Sequence, residues 1–290
     1  MKNRHLFLNL FLAPVVFLPV LALCSCGGAG GSNEANLEIF DSFSNVSIVV
    51  DTANLTILPS EAGCRVVGHL GKDVQIGASV LNGKLDLQLF DNRPWYKKIF
   101  GSAKKQLTLY LPDGEYGALD IETDTGNVEI CDTAFDSVNI DVDTGNVRLD
   151  GLCAATSLEV ETETGDITLS SCESNRLSLS SDTGRVNLSS VDCGNLNIDS
   201  DTGNVIMSDV IADGKLEISG NTGKVSFERC DASEVYITTD TGDVVGSFLS
   251  DKIIFATAGT GRVDVPKLTS GGRCEISTDT GNIRISIVAP

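Results

Sequence analysis

The fold of this chain is decided by the stretch Leu119-Asp-Ile121-Glu-Thr-Asp124-Thr125-Gly126-Asn127-Val128-Glu-Ile130. Apolar residues alternate with polar ones on both sides of its centre, which is the pattern of β-strands that bury one face. The central Asp-Thr-Gly-Asn is typical of a tight turn, because Asp accepts backbone N–H bonds and Gly tolerates positive φ. The stretch therefore predicts a strand, a tight turn and a second strand.

The same unit recurs at an almost constant step along the chain. Nine glycines, each preceded by threonine, are spaced 19 or 20 residues apart; they are Gly126, Gly145, Gly165, Gly184, Gly203, Gly223, Gly242, Gly261 and Gly281. So regular a period indicates a repeat architecture. Positions within a repeat are counted below from its glycine.

Five apolar columns emerge when the copies are aligned on their glycines. They lie seven and five residues before the glycine and two, four and seven residues after it. A single copy cannot bury these side chains, whereas stacked coils about 4.8 Å apart would turn each column into a continuous row. We therefore predict an all-β protein, a parallel β-solenoid with 19–20-residue coils. Its hand should be that of a right-handed β-helix, because parallel crossover connections are nearly always right-handed.

The N-terminus carries features of an exported lipoprotein. A basic start and an apolar run from Leu6 to Leu23 are typical of an export signal. Leu23-Cys24-Ser25-Cys26-Gly27 resembles a bacterial lipobox, which implies cleavage before Cys26 and lipid attachment to its sulfur. An uncleaved anchor or a plain secreted protein are the alternatives. We divide the chain into a signal peptide (1–25), a lipidated cysteine with a Gly/Ser tether (26–36), an irregular N-terminal cap with the first coils (37–118) and the solenoid repeats (119–290).

The N-terminal section follows the repeat less closely. Val46 to Ile57 matches it position for position, with Ala53 in place of the glycine. Either the turn does not demand positive φ there or this coil is distorted. A later loop concentrates aromatic and basic residues. It is a candidate contact loop for envelope phosphates, acidic glycans or the rod's own acidic face, or simply a hairpin loop whose aromatic residues cap the core end. Its candidate contact residues are Arg93, Trp95, Tyr96, Lys97 and Lys98.

The chain is strongly acidic, with 21 basic and 40 acidic residues and a formal charge of −19. This balance argues against nucleic acid and against an anionic membrane surface as the main partner. Acids also recur two residues before the glycine, where they either cap the turns or bind Ca²⁺ between coils. This ladder comprises Asp124, Asp143, Glu163, Asp182, Asp201, Asp240 and Asp279, with Asn221 and Gly259 interrupting it.

Catalytic patterns are weak in this sequence. Asp-Thr-Gly also marks aspartic proteases, but six evenly spaced copies predict a ladder of acids and not one desolvated dyad. After signal removal His69 is the only histidine. The cysteines show no zinc-type spacing, although Cys153 and Cys172 could stack on adjacent coils as a disulfide. The last strand, Ile283 to Val288, ends without a cap and could self-associate through its open edge.

Three segments together resemble one known family. They are Asp-Thr-Ala-Asn-Leu in the first coil, Leu-Thr-Leu-Tyr-Leu-Pro-Asp-Gly at 107–114, and the Thr-Asp-Thr-Gly-Asn-Val repeats. They resemble the bacterial putative-adhesin family of β-strand-repeat domains, a domain of unknown function. The resemblance implies a β-helix-like rod on secreted or lipid-anchored envelope proteins and carries no catalytic residues.

We accordingly predict a non-enzymatic, lipid-anchored surface rod of the bacterial cell envelope, acting in adhesion or envelope interaction. Its partners would be the membrane, through the anchor, and a glycan or surface protein. Two alternatives stay open: a structural or sensory envelope module that docks a protein partner, and a β-helix enzyme acting on acidic polysaccharide.

Overall fold

The computed structural model describes residues 33–70, 74–91 and 105–288, and these residues form 22 strands and no helix. No helix able to cross a membrane is therefore found in the described part of the chain. Cys26 and the candidate contact residues of the 93–98 loop lie outside the described residues.

The strands fall into three groups along the chain. The N-terminal group is β1 (Asn33–Ile39), β2 (Asn45–Thr52), β3 (Asn54–Ser60), β4 (Cys64–Leu70), β5 (Val74–Leu81), β6 (Lys84–Asp91) and β7 (Gln106–Pro112). The middle group is β8 (Tyr116–Thr125), β9 (Val128–Cys131), β10 (Ala134–Thr144), β11 (Val147–Asp150), β12 (Cys153–Thr164), β13 (Ile167–Ser170), β14 (Glu173–Thr183), β15 (Val186–Thr202), β16 (Val205–Thr222), β17 (Val225–Thr241) and β18 (Val244–Phe248). The last group is β19 (Lys252–Thr260), β20 (Val263–Asp264), β21 (Gly272–Thr280) and β22 (Ile283–Ile287).

Successive middle coils stack as a parallel β-solenoid, with equivalent repeat positions side by side. Strand β10 lies between β8 and β12, so Ile140 faces Ile121 on one side and Val160 on the other. The second strands stack in the same register, with Val147 between Val128 and Ile167. The five apolar columns are buried in these coils, except at Thr133, Gly246 and Leu249, which are half-buried. The prediction of a parallel β-solenoid with roughly 20-residue coils is confirmed.

A sixth inward column, three residues before the glycine, consists mainly of hydroxyl residues. Its hydroxyl oxygens are almost fully buried and lack a hydrogen-bond partner in five coils, at Thr123, Thr162, Ser181, Ser200 and Thr239. In the C-terminal coil the equivalent Thr278 donates to the carbonyl of Gly242 at 3.0 Å. Burying a hydroxyl without a partner costs free energy, so this column opposes the stabilisation from the apolar ones.

The repeat glycines are required because neighbouring turns lie very close together. A Cβ added at Gly145 would lie 1.9 Å from the carbonyl oxygen of Gly126, and the other turn glycines meet the same obstacle. Gly242 is not among the residues with positive φ, yet a Cβ there would lie 1.9 Å from the oxygen of Gly223. Close approach therefore imposes the glycine even where φ does not.

Ala53, which stands in place of the turn glycine in the first coil, shows why an alanine is possible there. It lacks positive φ, is buried and stacks its carbonyl on Gly126. Its coil pairs in parallel with the first repeat that has a turn glycine, through β2–β8 and β3–β9. The glycine column thus starts at Gly126, and the first of the two sequence interpretations of Ala53 is correct: positive φ is not needed there.

The N-terminal section does not stack in chain order. The coil made by β2 and β3 lies between the coil of β6 and β7 on one side and that of β8 and β9 on the other. Beyond it, β4 pairs antiparallel with both β1 and β7, and β5 pairs antiparallel with β6. These antiparallel strands close this end of the solenoid.

The C-terminal section is also out of order. Strands β17 and β18 pair with β21 and β22, whereas β19 and β20 pair on the far side of them. Strand β22 has β18 along one side and β20 against only its first two residues on the other, so its edge is partly covered and self-association through it stays a prediction. The outermost coil is that of residues 252–264, which we call the end coil.

Side-chain size explains why the end coil lies outside. It offers Ala256 and Ala258 at inward positions, whereas the coil of β21 and β22 offers Ile276, Ile283 and Ile285. Burying the coil with larger apolar side chains between two neighbours removes more apolar surface from water. The stronger coil therefore occupies the inner place.

A buried ion pair links the end coil to the coil two places away. Lys252 is only 2% exposed, and its Nζ donates to Asp231 and, at 2.6 Å, to Ser250 Oγ. Its side chain crosses the intervening coil at Gly272, where an added Cβ would lie 3.5 Å from the lysine Cδ. Breaking a buried pair leaves an uncompensated charge, so this contact stabilises the transposed order.

Gly184→Ala should lower the free energy of unfolding by about 3 kcal/mol, the size expected for steric overlap in a packed core. The added Cβ would lie 1.9 Å from the oxygen of Gly165, and backbone cannot move there without separating the coils. The midpoint of guanidinium unfolding measures the effect.

Gly220→Ala is the matched control for that substitution. Its Cβ would meet nothing closer than 3.7 Å, and an alanine also restricts the unfolded chain, so the midpoint should stay or rise. Equal losses in the two variants would show that close turn stacking is not the constraint.

Candidate functional site

The strands that precede the turns build one solvent-facing sheet surface. Its side chains come from positions two, four and six before each glycine, which alternate with the buried columns. Because the coils stack in register, each position forms a row across the sheet: Glu122 faces Asp141, and Asp141 faces Glu161. We call this surface the turn-side face.

Carboxylates concentrate on three adjacent coils of the turn-side face. The acid-rich part consists of Asp120, Glu122, Asp124, Asp141, Asp143, Glu159, Glu161 and Glu163. At its edge, Lys84 Nζ lies 4.0 Å from Asp120 and 3.8 Å from Asp86. At strand spacing, two unit charges repel by about 1 kcal/mol in water and by about 3.5 kcal/mol at an effective dielectric constant of 20.

Partial desolvation and, after it, neighbouring negative charge raise the pKa of three carboxyl groups in this patch. Partial desolvation, followed by the charges of Asp51 and Asp143, raises the pKa of Asp124 above its ordinary value. Desolvation raises the pKa of Glu161, and the neighbouring carboxylates, Asp141 first, raise it further. The pKa of Asp141 is raised for the same two reasons. The patch therefore holds carboxylates that a positively charged partner would stabilise.

The predicted acid ladder exists as a spatial row, but in an order that differs from the sequence. Along the stack it runs Asp124, Asp143, Glu163, Asp182, Asp201, Asn221, Asp240, Asp279 and Gly259. Asn221 interrupts the row and donates its amide to Asp201 at 2.8 Å. Gly259 does not interrupt it, because the end coil places this residue last.

The turns are held by a different set of side chains from the one the sequence suggested. Where Asn or Asp follows the glycine, its side-chain oxygen accepts a hydrogen bond from the backbone N–H of the equivalent residue in a neighbouring coil. Asn146 N donates to Asn127 Oδ1 at 2.9 Å, and Asp166 N donates to Asn146 Oδ1 at 2.9 Å. No backbone N–H bond to the acids two before the glycine is seen in the described coils. The turn-cap role therefore belongs to the residue after the glycine.

Asp243 illustrates the energetic effect of this second row. Its carboxylate accepts from the Asn282 backbone N–H at 2.7 Å and from the side-chain amide at 3.0 Å. These bonds lower the pKa of Asp243. The signal was present in the sequence, since Asn or Asp follows six of the nine glycines: Asn127, Asn146, Asp166, Asn204, Asp243 and Asn282.

The seven cysteines of the described residues are free thiols. The disulfide suggested for Cys153 and Cys172 is wrong: Cys153 stacks beside Glu173, while Cys172 points into the core. Both cysteines lie twelve residues before the next glycine, but the coil that contains Cys153 has one extra residue after it. The strand register therefore shifts between Ala154 and Leu158, and the two cysteines do not pair. Burial raises the pKa of Cys193 and Cys274 to about 12, so these thiols are not ionised at neutral pH.

A shallow groove of about 370 Å³ runs over one corner of the solenoid and carries a few polar groups, among them Glu173, Ser174, Asp192 and Asp213. Its Ser174 hydroxyl is already bound to the carbonyl of Arg176 at 2.9 Å. Within the described ranges, no group of three or more His, Cys, Asp or Glu side chains is arranged to hold a metal ion.

Comparisons with known proteins point to one family. The family model described as Toastrack DUF4097 matches residues 43–218, more than half of the chain. A sequence search of curated proteins returns no match.

Three solved structures are similar in fold. A putative adhesin from Bacteroides fragilis is 14% identical with a TM-score of 0.53. A putative lipid binding protein from Parabacteroides distasonis is 14% identical with a TM-score of 0.55, and a putative adhesin from the same species is 10% identical with a TM-score of 0.53. In each case the match covers 89% of this chain and 98% of the other. At these identities the likeness concerns the fold alone.

Glu161→Gln should stabilise the protein at pH 7 by about 0.5 kcal/mol, a size limited by solvent screening. Because the folded-state pKa is raised, the stability linked to this group is complete below its ordinary pKa and is lost as pH rises through the raised value. The gain should therefore vanish near pH 4. Urea midpoints measured from pH 4 to pH 7 test this.

Glu275→Gln is the control, because Glu275 lies on the same sheet face but is paired with Arg273. Its neutralisation should give no gain at pH 7. If the two variants respond alike, carboxylate repulsion on the turn-side face has no measurable effect on stability.

Proposed function

This chain belongs to the Toastrack DUF4097 family, and from that premise we propose that it is a lipid-anchored surface rod whose turn-side face binds a positively charged surface protein or glycan. The observation that carries the proposal is the acid-rich part of that face. Eight carboxylates from three coils stand there in a rigid grid with raised pKa values at Asp124, Asp141 and Glu161.

Rigidity supports a role in adhesion. The strands beneath the grid pair on both sides over many residues, so the backbone positions that carry the carboxylates have a fixed spacing before any partner arrives. A preorganised surface loses little conformational entropy on binding. Opposite charge on the partner would also accelerate encounter and lower the repulsion within the grid.

Anchoring through Cys26 is supported by the lipobox-like sequence and by the position of β1. Strand β1 begins at Asn33 and belongs to the antiparallel strands that close one end of the solenoid. Only six residues, 27–32, separate Cys26 from this strand, and fully extended they span about 20 Å. The closed end would therefore face the membrane and the rod would project away from it.

The second candidate function is that of an envelope module that docks another envelope protein, instead of a glycan or a matrix protein. It is favoured by the same acid grid, because a basic protein surface complements carboxylates as well as a cationic glycan does. A Ca²⁺-bridged contact is an outcome of the binding test and not a separate proposal.

Cys26→Ala should abolish membrane attachment and incorporation of radiolabelled palmitate in cells that express the full-length chain, because the thioether site is lost. Cys24→Ala is the matched control and should leave both unchanged. Fractionation and autoradiography measure the two readouts. Retention of label by the Cys26 variant would refute the lipidation site.

Binding should weaken about tenfold when three carboxylates of the grid are neutralised, by Asp141→Asn, Asp143→Asn and Glu161→Gln together, a loss typical of several partly screened charges. Residues 27–290 would be tested against a panel of basic proteins and cationic glycans, in calcium and in EDTA. Surface plasmon resonance gives the dissociation constants.

The control removes the same charge away from the grid, by Asp192→Asn, Asp213→Asn and Glu228→Gln. Its affinity should stay near that of the natural chain. Equal weakening would indicate non-specific attraction to net charge, and loss of binding in EDTA would indicate a calcium bridge. No binding to any member of the panel would overturn the adhesion proposal and favour an envelope protein partner.

A further inference from the structure

The two ends of the solenoid are finished differently. At the N-terminal end, β4 and β5 lie antiparallel against β7 and β6, the outermost coil strands, and β1 adds antiparallel to β4. At the other end, β19 pairs with β21 along one side, and no described strand lies on its other side. Nine residues of this edge, Lys252 to Thr260, thus run along the boundary of the sheet.

The end coil also leaves apolar surface in contact with water. Phe255 is 58% exposed and Val263 is 40% exposed. The inward residues Ile254 and Ala256 are half-buried, although their equivalents in middle coils are almost completely buried. Open edges of solenoids are normally protected by charged or capping residues. Residues 253–261 contain no charged side chain at all.

The distribution of net charge favours contact between two copies at the C-terminal end of the stack and disfavours contact along the sides. Residues 113–250 contain 28 acidic and 6 basic residues, a net charge of −22. Residues 251–290 contain 4 acidic and 5 basic residues, a net charge of +1. Side-by-side contact between two rods would oppose two strongly acidic surfaces, whereas contact through the end coils brings together almost neutral ones.

The end coil and the N-terminal end lie at opposite extremes of the described stack. Ten coil spacings separate the end coil from the coil of β6 and β7, roughly 48 Å at 4.8 Å each.

We propose that the end coil is a homophilic docking surface, at which β19 pairs antiparallel with β19 of a second copy of this chain. A twofold axis that places Ala256 opposite its counterpart aligns the whole strand. It also keeps inward residues opposite inward residues, so that both open cores close against each other.

The same register is complementary in charge. It places Asp251 opposite Gly261 of the second copy and beside that copy's Arg262, and the symmetry repeats this contact at the other end of the strand pair. Phe255 lies opposite Thr257 of the second copy, where its exposed ring would be covered. Backbone hydrogen bonds, apolar burial and two ion pairs thus favour one arrangement.

The pairing follows from the end coil alone and does not need the proposed function. If the chain is anchored at Cys26 as proposed, the open end is the one farthest from the membrane. Paired tips would then join two rods that project from facing surfaces, which would make the adhesion partly a contact between copies of this protein.

Cysteine crosslinking on the full-length chain in intact cells tests the pairing. In the proposed register the two copies of residue 257 are diagonal neighbours, with Cβ atoms about 7–8 Å apart. Thr257→Cys should therefore give a band of doubled mass with a short bismaleimide, at least tenfold stronger than in the unmodified chain. The unmodified chain accounts for the native thiols.

Thr238→Cys is the matched control, because Thr238 is exposed and occupies the same repeat position two coils further in. It should give no doubled band. Adding Phe255→Asp to Thr257→Cys should remove the band, since four carboxylates would then crowd the paired edges. The thermal midpoint should stay unchanged, because this side chain is mostly exposed.

Three results would overturn the proposal: no doubled band for Thr257→Cys, an equal band for Thr238→Cys, or a band that survives Phe255→Asp. The second of these would indicate side-by-side association. None depends on the binding panel, so failure of the pairing and failure of the adhesion proposal are distinguishable.

Discussion

The structure depends on the close stacking of glycines at the turns. Each turn glycine presents its carbonyl oxygen to the glycine of the next coil, at a distance that leaves no room for a Cβ. This approach lets the strands on both sides of the turn pair at normal spacing. Once the turns coincide, every repeat position must coincide too, because the offset from the glycine is nearly constant. Inward residues of successive coils therefore form the core columns, and outward residues form the surface rows.

The same alignment that builds the core also accumulates charge. An acid that recurs at one repeat position is placed beside its own kind, as Asp141 is beside Glu161. A globular fold would distribute these residues, whereas a solenoid collects them in one grid. The buried apolar columns and the hydrogen bonds of the Asn/Asp row at the turns stabilise the stack and outweigh the repulsion between carboxylates. The function we propose uses this surplus of negative charge, since a positively charged partner would relieve it.

The coils at the two ends are stabilised differently from the middle ones, because a terminal coil has a neighbouring coil on one side only. At the closed end antiparallel strands cover the sheet, and at the open end a coil with small inward residues takes the outer place. The Lys252–Asp231 pair holds that arrangement by reaching across the coil between them. The chain therefore departs from sequential stacking at both termini, where the energetic advantage of order is smallest.

Local alternation and a constant offset from glycine are enough to predict the repeat, its period, the five apolar columns and the row of acids. The Asn and Asp residues after the glycines are also visible in the sequence, although the sequence analysis assigned the turn-cap role to Asp124 and its equivalents. The order of the terminal coils, and with it the positions of Gly259 and of the open edge, depends on tertiary packing. Order along a stack depends on which coil buries more apolar surface and on a contact between Lys252 and Asp231. Neither leaves a periodic trace in the sequence. The hydroxyl column at Thr123 and Thr162 was likewise invisible, since buried and exposed threonines look alike until the fold places them.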